Sequence, residues 1–312
     1  MSTTNDTIEE KSEILFVYDS IYSIPNGDPF TGEQRYDEET KHVLVSDVRI
    51  KRFIRDYLLA ENQRDGEEKH EIYIQNVESE SGEGSGSAAR VEKLDREYED
   101  IDDGLELLKQ CVDVRLFGGV STKEDMAVNL TGPVQFALLN PSLNRVDLRM
   151  HQNTSVFKSS VEKSRGAIGT TTVVPYSLLK VHGWINPFAA EDTGLSEEDV
   201  QLMFETMWDS INNANTRSKS NQSSLLLLQI VYDDPRDKLY RVGDLIDIEV
   251  ADGKQEEQMR GPADYDFDFT ALHEAVTDDM VKEIRYHAAL NDVEEALLDG
   301  AASEKFTEMP WR

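Results

Sequence analysis

Four cations, Arg49, Lys51, Arg52 and Arg55, fall within seven residues of a chain whose 62 acidic residues outnumber its 32 Lys and Arg. Retained against a formal net charge of −30, such a cluster points to an anionic partner such as phosphate. Two further segments share the property. Residues 140–182 carry six basic and two acidic residues, among them Arg145, Arg149, Lys158, Lys163 and Arg165. Residues 212–224 carry Arg217 and Lys219, no acid, and many amides and hydroxyls. Elsewhere acid dominates, with 16 acidic against 5 basic residues over 61–106 and 22 against 9 over 233–312. The competing explanation is that the basic segments are buried or merely neutral.

The other residue types that do chemistry form no constellation. His42, His70, His151, His182, His273 and His287 show no HExxH or comparable ligand spacing, so neither a metal nor a cofactor is expected. Cys111 stands alone between apolar residues, which excludes an intramolecular disulfide and reads as a small core residue. The run DYDFDF (264–269) could hold a divalent ion, but a chain this acidic produces such runs freely. The glycines of GEGSGS resemble a phosphate loop, yet Glu78, Glu80 and Glu83 would face the phosphates, so a flexible linker is the better reading. No Ser-His-Asp set or nucleophile elbow is present. Nothing here demands an enzyme.

Composition bounds the rest. The 312 residues suffice for one large domain or two ordinary ones. Apolar runs such as SSLLLLQIVY rule out wholesale disorder, and no stretch approaches the roughly 20 apolar residues of a membrane span. MSTTNDTIEEKSE lacks the features of a signal peptide, so a cytoplasmic protein without membrane partners is expected. The acid is spread along the chain. Surface solvation in a very salty cytoplasm accounts for that, because the Debye length falls to about 3 Å in molar salt.

The elements that must position these groups can be read coarsely. Residues 13–23, 71–77, 111–120, 132–139, 172–185 and 223–234 read as strands, with Pro175 suggesting an edge or bulge. Residues 45–59 and 195–214 read as helices, the first with Ser46 or Asp47 as N-cap and the second capped by Ser196. A short helix is expected around 103–110. Residues 140–172 are polar, basic and without a sustained period, the pattern of a protruding excursion. The C-terminal eighty residues look like mixed strand and helix, and the whole suggests α+β.

Six segments then match a known family in order. YDSIYSIPNGDPFTGEQRYDEETKHVLVSDVRIKRFIRDYL resembles the N-terminal signature of the Cas-seven family, the repeated backbone subunit of type I CRISPR surveillance complexes (Cascade). DVRLFGGV, TGPVQF, VVPYSLLKVHGWIN, TGLSEEDVQLMFETMWDSINN and RSKSNQSSLLLLQIVY follow, covering about residues 13–232 and looking most like the subtype I-B branch. The acidic composition fits a haloarchaeal member. The insert at 78–104 and the C-terminal region depart from the pattern.

The resemblance implies an RRM-like (ferredoxin-like) palm with finger and thumb insertions, polymerising along guide RNA (crRNA) and presenting it for pairing with target DNA. It also implies copies of itself and other Cascade subunits as partners, and no catalysis. The expected organisation is a flexible 1–12, then one domain over 13–312. Within that domain lie a finger-like insert at 61–104 with a flexible tip at 78–90, a thumb-like excursion at 143–170 and an acidic region at 234–312. Candidate RNA-binding residues are Asn26, Ser46, Arg49, Lys51, Arg52, Arg55, Arg145, Arg149, Met150, Phe157, Lys158, Lys163, Arg165, Arg217 and Lys219. Met150 and Phe157 are apolar groups that could wedge between bases. The rivals are a type III-like metal-dependent endoribonuclease using Asp28 or Asp37, and a halophilic protein-interaction module without RNA.

Overall fold

The computed structural model describes residues 7–66, 69–75, 86–121, 127–154 and 168–311. Strand β1 (Ser12–Ser23) is followed by β2 (Tyr36–Asp37), β3 (His42–Ser46) and helix α1 (Asp47–Asp65). Helices α2 (Ser87–Glu97), α3 (Gly104–Leu108) and α4 (Val112–Phe117) come next, then strands β4 (Gly118–Ser121) and β5 (Val128–Thr131). The chain returns to the main sheet through β6 (Val134–Phe136), β7 (Leu139–Arg145), β8 (Arg149–Thr154) and β9 (Ile168–Ile185). After α5 (Pro187–Thr193) and α6 (Glu197–Asn212) come β10 (Gln222–Tyr232), β11 (Asp247–Val250) and β12 (Tyr265–Asp268). The last elements are α7 (Thr270–Val276), β13 (Val281–Ala288), α8 (Asn291–Leu298) and β14 (Phe306–Glu308).

The main sheet has the order β14-β13-β10-β1-β9-β7-β3-β2, with β6 and β8 also paired to β9. Every pairing is antiparallel except that of β13 with β14. β1 and β10 are almost wholly buried because both faces of the sheet are covered, which is why LLLLQIV is continuously apolar. On one face α1 and α6 pack Ile50, Phe53, Ile54, Met203, Phe204 and Trp208 against Ile14, Phe16 and Tyr18. The capping box that starts α6 forms as its sequence predicts: Ser196 Oγ accepts from the Asp199 amide, and the Asp199 carboxylate accepts from the Ser196 amide. Arg115 then clamps the same carboxylate at 2.6 and 2.8 Å. On the opposite face the C-terminal residues Leu239, Val242, Met259, Tyr265, Phe269 and Leu272 cover Leu15, Val17, Tyr176 and Leu178.

Four expectations need correction. Residues 71–75 are not a strand: the Tyr73 and Ile74 amides are held by the Asp113 carboxylate, at 2.7 and 3.1 Å, instead of by a ladder. Residues 112–117 are a helix, and only 118–121 form a strand, because Val112, Val114, Leu116 and Phe117 bury around a short turn of helix. Of the two readings offered for Pro175, the edge fails and the irregularity holds: the proline lies in a central strand, opposite a gap in the β1–β9 pairing. The β1–β9 register skips from Ile21↔Tyr176 to Ser23↔Val174, and Tyr22, opposite Pro175, has φ 46°. The excursion begins later than 143, since β7 runs in the main sheet to Arg145, with Asn144 and Val146 buried, and β8 pairs with the first residues of β9.

The expected flexible tip at 78–90 does not hold over its last residues, 87–90. Ser87 opens a helix, and Arg90 is buried with its guanidinium bonded to Glu71 and to the Ile72 carbonyl. Residues 76–85 lie outside the described residues. Tyr73, Val91, Leu94, Leu107, Leu108, Cys111 and Val114 form a small separate core beneath this insert.

Candidate nucleic-acid interface

Helix geometry divides the first basic cluster in two. At 100° per residue Arg49, Arg52 and Asp56 share one face of α1, while Lys51 and Arg55 share another, centred about 110° further round. The structure gives the two pairs different environments. Lys51 donates to Gln135 at 3.1 Å and lies near Asp47 at 3.5 Å. Arg55 contacts Asp113 at 2.7 Å, with the two side chains only 12% and 1% exposed. Both cations also lie over the Phe117 ring. Lys51 and Arg55, expected to hold phosphate, are therefore already engaged: they tie α1 to β6, α4 and the 71–75 segment.

Arg49 and Arg52 meet a third cation instead. Lys219 Nζ donates to the Ile24 carbonyl at 3.4 Å and to Ser218 Oγ at 3.2 Å. Its segment is zipped to the end of β1 by Ile24 N to Ser218 O at 2.7 Å and Ile21 N to Asn221 O at 2.9 Å. Burial pushes the Lys219 ammonium down to about 8, and the positive fields of Arg49 and Arg52 add to the effect. Arg49 is likewise lowered to about 10, chiefly by burial. Its guanidinium carbon sits 3.6 Å from the centre of the Phe53 ring, and its buried Nε has no hydrogen-bond partner. The Tyr18 hydroxyl and Asn26 Nδ2 are likewise buried without a partner among the described residues. Among the described residues Arg52 pairs with Asp56 alone, an exposed pair of the kind worth at most ~1 kcal/mol and weakened by salt. Mutually repelling, partly desolvated cations beside unpartnered polar atoms form a place where an anion relieves the strain.

Ser46 and Asn26 are placed otherwise than expected. Both are buried, Ser46 Oγ donates to Asn26 Oδ1 at 3.3 Å, and Ser46 makes no side-chain cap bond to α1. The Asp47 amide is already donated to the Leu138 carbonyl. These residues fix the start of α1 beneath the interface instead of lining it. Arg145 is also drawn away: its side chain lies 3.4 Å from Glu256 and its amide donates to the same carboxylate, stapling β7 to the C-terminal region. Arg149 and Met150 are exposed on β8. Phe157, Lys158, Lys163 and Arg165 lie outside the described residues.

Beside the cations, a groove of about 440 Å³ is lined by Tyr22, Ile24, Gly32, His151, Thr171 and Arg217, among others. It joins the end of β1, the N-G-D-P loop, the β8–β9 hairpin and the 212–224 segment. Sequence reasoning missed Tyr22, Phe30 and His151. Aromatic residues flanking a turn-rich loop were the available signal for the first two, whereas His151 is distinguished only by the hairpin that turns it into the groove.

Comparison with known proteins agrees with this architecture. The chain is 30% identical over 296 residues to the CRISPR-associated protein Cas7 of Haloferax volcanii, covering 86% of this chain and 84% of that one. Its fold is similar to chains of a CRISPR RNA-guided surveillance complex in a pre-nicking state, with TM-score 0.53 and 14% identity over 96% of each chain. A second CRISPR RNA-guided surveillance complex gives TM-score 0.52 and 13% identity over 93% of this chain and 94% of that one. The CRISPR-associated protein Cas7 family profile matches residues 10–270, beyond the span that the motifs alone covered, and the chain belongs to that family.

Proposed function

We propose that this chain is a non-catalytic backbone subunit of a type I CRISPR surveillance complex. In this reading it holds guide RNA, polymerises along it with copies of itself beside other Cascade subunits, and presents the bases for pairing with target DNA. Family membership and the observation that Arg49, Arg52 and Lys219 converge at the end of β1, in a chain of net charge −30, carry this reading.

The palm is RRM-like in this proposal. Counting β1, β7, β9 and β10 as the four palm strands, with α1 after the first and α6 after the third, the sheet order 4-1-3-2 is that of a ferredoxin-like βαββαβ unit. An ordinary RRM stacks bases on its open sheet face. Here that face is covered by residues 239–276, which supports a site at the end of β1 instead. The insert around α2, α3 and α4 serves as the finger. The β8–β9 hairpin, including Arg149 and Met150, serves as the base of the thumb.

The endoribonuclease alternative is disfavoured by the state of its candidate acids. Asp28 accepts from the Phe30 and Thr31 amides and pairs with Arg35 at 3.1 Å, and Asp37 accepts from the Glu39 and Thr40 amides. Both carboxyls are held below their ordinary range, Asp28 chiefly by its Phe30 and Thr31 amide bonds and Asp37 first by the Thr40 hydroxyl and then by its amide bonds, the roles of turn-capping residues. No described helix is long and apolar enough to cross a membrane.

Purification at molar salt from a cell carrying its CRISPR array tests the proposal. The expected product is a protein oligomer on short RNA of uniform length. Protein free of nucleic acid, with normal folding, would refute it and favour the protein-interaction module.

A further inference from the structure

Phe30 is 97% exposed, an aromatic side chain as bare as in an unfolded chain. Its loop, however, is tightly built. The Asp28 carboxylate accepts from the Phe30 and Thr31 amides at 2.9 and 3.2 Å, Gly32 N donates to Asp28 O at 2.8 Å, and Asp28 N donates to Glu33 O at 2.7 Å. Gly32 turns the chain at φ +72°, and Arg35 braces Asp28. Gln34 locks the base of the loop by accepting from the Asn26 amide and donating to the Arg35 and Leu44 carbonyls. Most of the backbone entropy is thus lost on folding, leaving little to lose when the ring meets a partner.

What the loop borders identifies that partner. Gly32, two residues beyond Phe30, lines the groove with Tyr22, which is 60% exposed, and with Arg217. Beyond it lie Lys219, Arg49 and the unpartnered Nδ2 of Asn26, itself only 3% exposed. Phe30 itself does not line the groove but stands two residues from Gly32, which does; an exposed ring on a rigid loop next to cations is the arrangement by which single strands are held irrespective of sequence, phosphates on the cations and a base on the ring.

Resting on the guide-RNA reading above, we infer that Phe30 is a fixed stacking platform for one unpaired guide base per subunit, with Tyr22 at the groove wall beside it. Stacking suits this protein for a physical reason. Phosphate contacts lose affinity with a slope near 0.7 per contact on a log–log salt plot, whereas stacking is not screened. Each base stacked on an aromatic ring is worth about 1–3 kcal/mol, or about 5- to 150-fold in affinity.

The test measures binding of a short single-stranded RNA, too short for two subunits, to wild type, Phe30→Ala, Phe30→Trp and Lys219→Gln across 0.2–2 M KCl. The expected result is a parallel loss of about 5- to 150-fold for Phe30→Ala at every salt, with unchanged slope and recovery in Phe30→Trp. Lys219→Gln should instead flatten the slope. A 2-aminopurine base in the RNA should be quenched by wild type and Phe30→Trp but not by Phe30→Ala. Normal short-RNA binding by Phe30→Ala overturns the proposal. If that variant also fails to form multi-subunit assemblies on long RNA, the ring contacts a second copy of the protein instead. Wild type with no RNA affinity at any salt would sink the guide-RNA reading itself, an outcome distinct from these.

Discussion

Lys219 supplies a sharp test of the interface because its proton should leave near neutrality. Burial and the fields of Arg49 and Arg52 hold its ammonium at about 8 in the free protein, against an ordinary lysine value near 10.4. A phosphate placed among the three cations offsets both effects and returns the group towards its ordinary value. Above pH 8 the free protein gives up this proton while the complex keeps it, so binding must take up a proton and affinity falls as pH rises. Linkage with these two values gives a drop of about tenfold between pH 7 and pH 9. Fluorescence anisotropy with a short labelled RNA at fixed molar KCl measures it directly. Lys219→Arg should bind well with a flat profile over this window, since a guanidinium stays charged. Lys219→Gln should bind more weakly and also be flat. A flat wild-type profile, or a tenfold fall that survives in Lys219→Gln, would refute the placement of phosphate beside Lys219.

The Lys51 and Arg55 face of α1 should behave as structure. Arg55→Ala leaves the buried Asp113 carboxylate with its Tyr73 and Ile74 amide donors but without the Arg55 counter-ion, and should cost about 3 kcal/mol, seen as a lower urea midpoint, while the folded fraction keeps the wild-type salt slope for RNA. Gly132→Ala should yield little soluble protein in expression trials, because a Cβ there would stand 2.0 Å from the Phe117 carbonyl carbon and 2.2 Å from the Gly118 nitrogen. Replacing residues 152–170 by a four-residue turn should leave a folded monomer by circular dichroism that does not assemble on long RNA; regular assembly would place the thumb elsewhere. The wider cut from 143 should fail to fold, since it removes the buried Asn144 and Val146.

Much of the architecture was legible because local signals and burial agreed. Continuous apolar runs marked β1 and β10 as doubly covered strands, and the Ser196–Asp199 capping pair marked the start of α6. Charge reversal against an acidic background picked out three segments that adjoin one another around the groove at the end of β1, and ordered motifs pointed to the family. That information is written along the chain. What the sequence left open is which cations meet. Arg49 and Arg55 are indistinguishable by composition and neighbourhood; only the packing of α1 turns one towards Lys219 and the other onto Asp113, which lies 58 positions away. EIYIQNV reads as a strand by propensity, but a carboxylate from a distant helix satisfies its amides and removes the need for a neighbouring strand. The covering of the main sheet by residues 239–276 follows no local rule at all. Periodicity tells a residue whether it is buried, not against what, and long-range contact decides the partner on which charge and function depend.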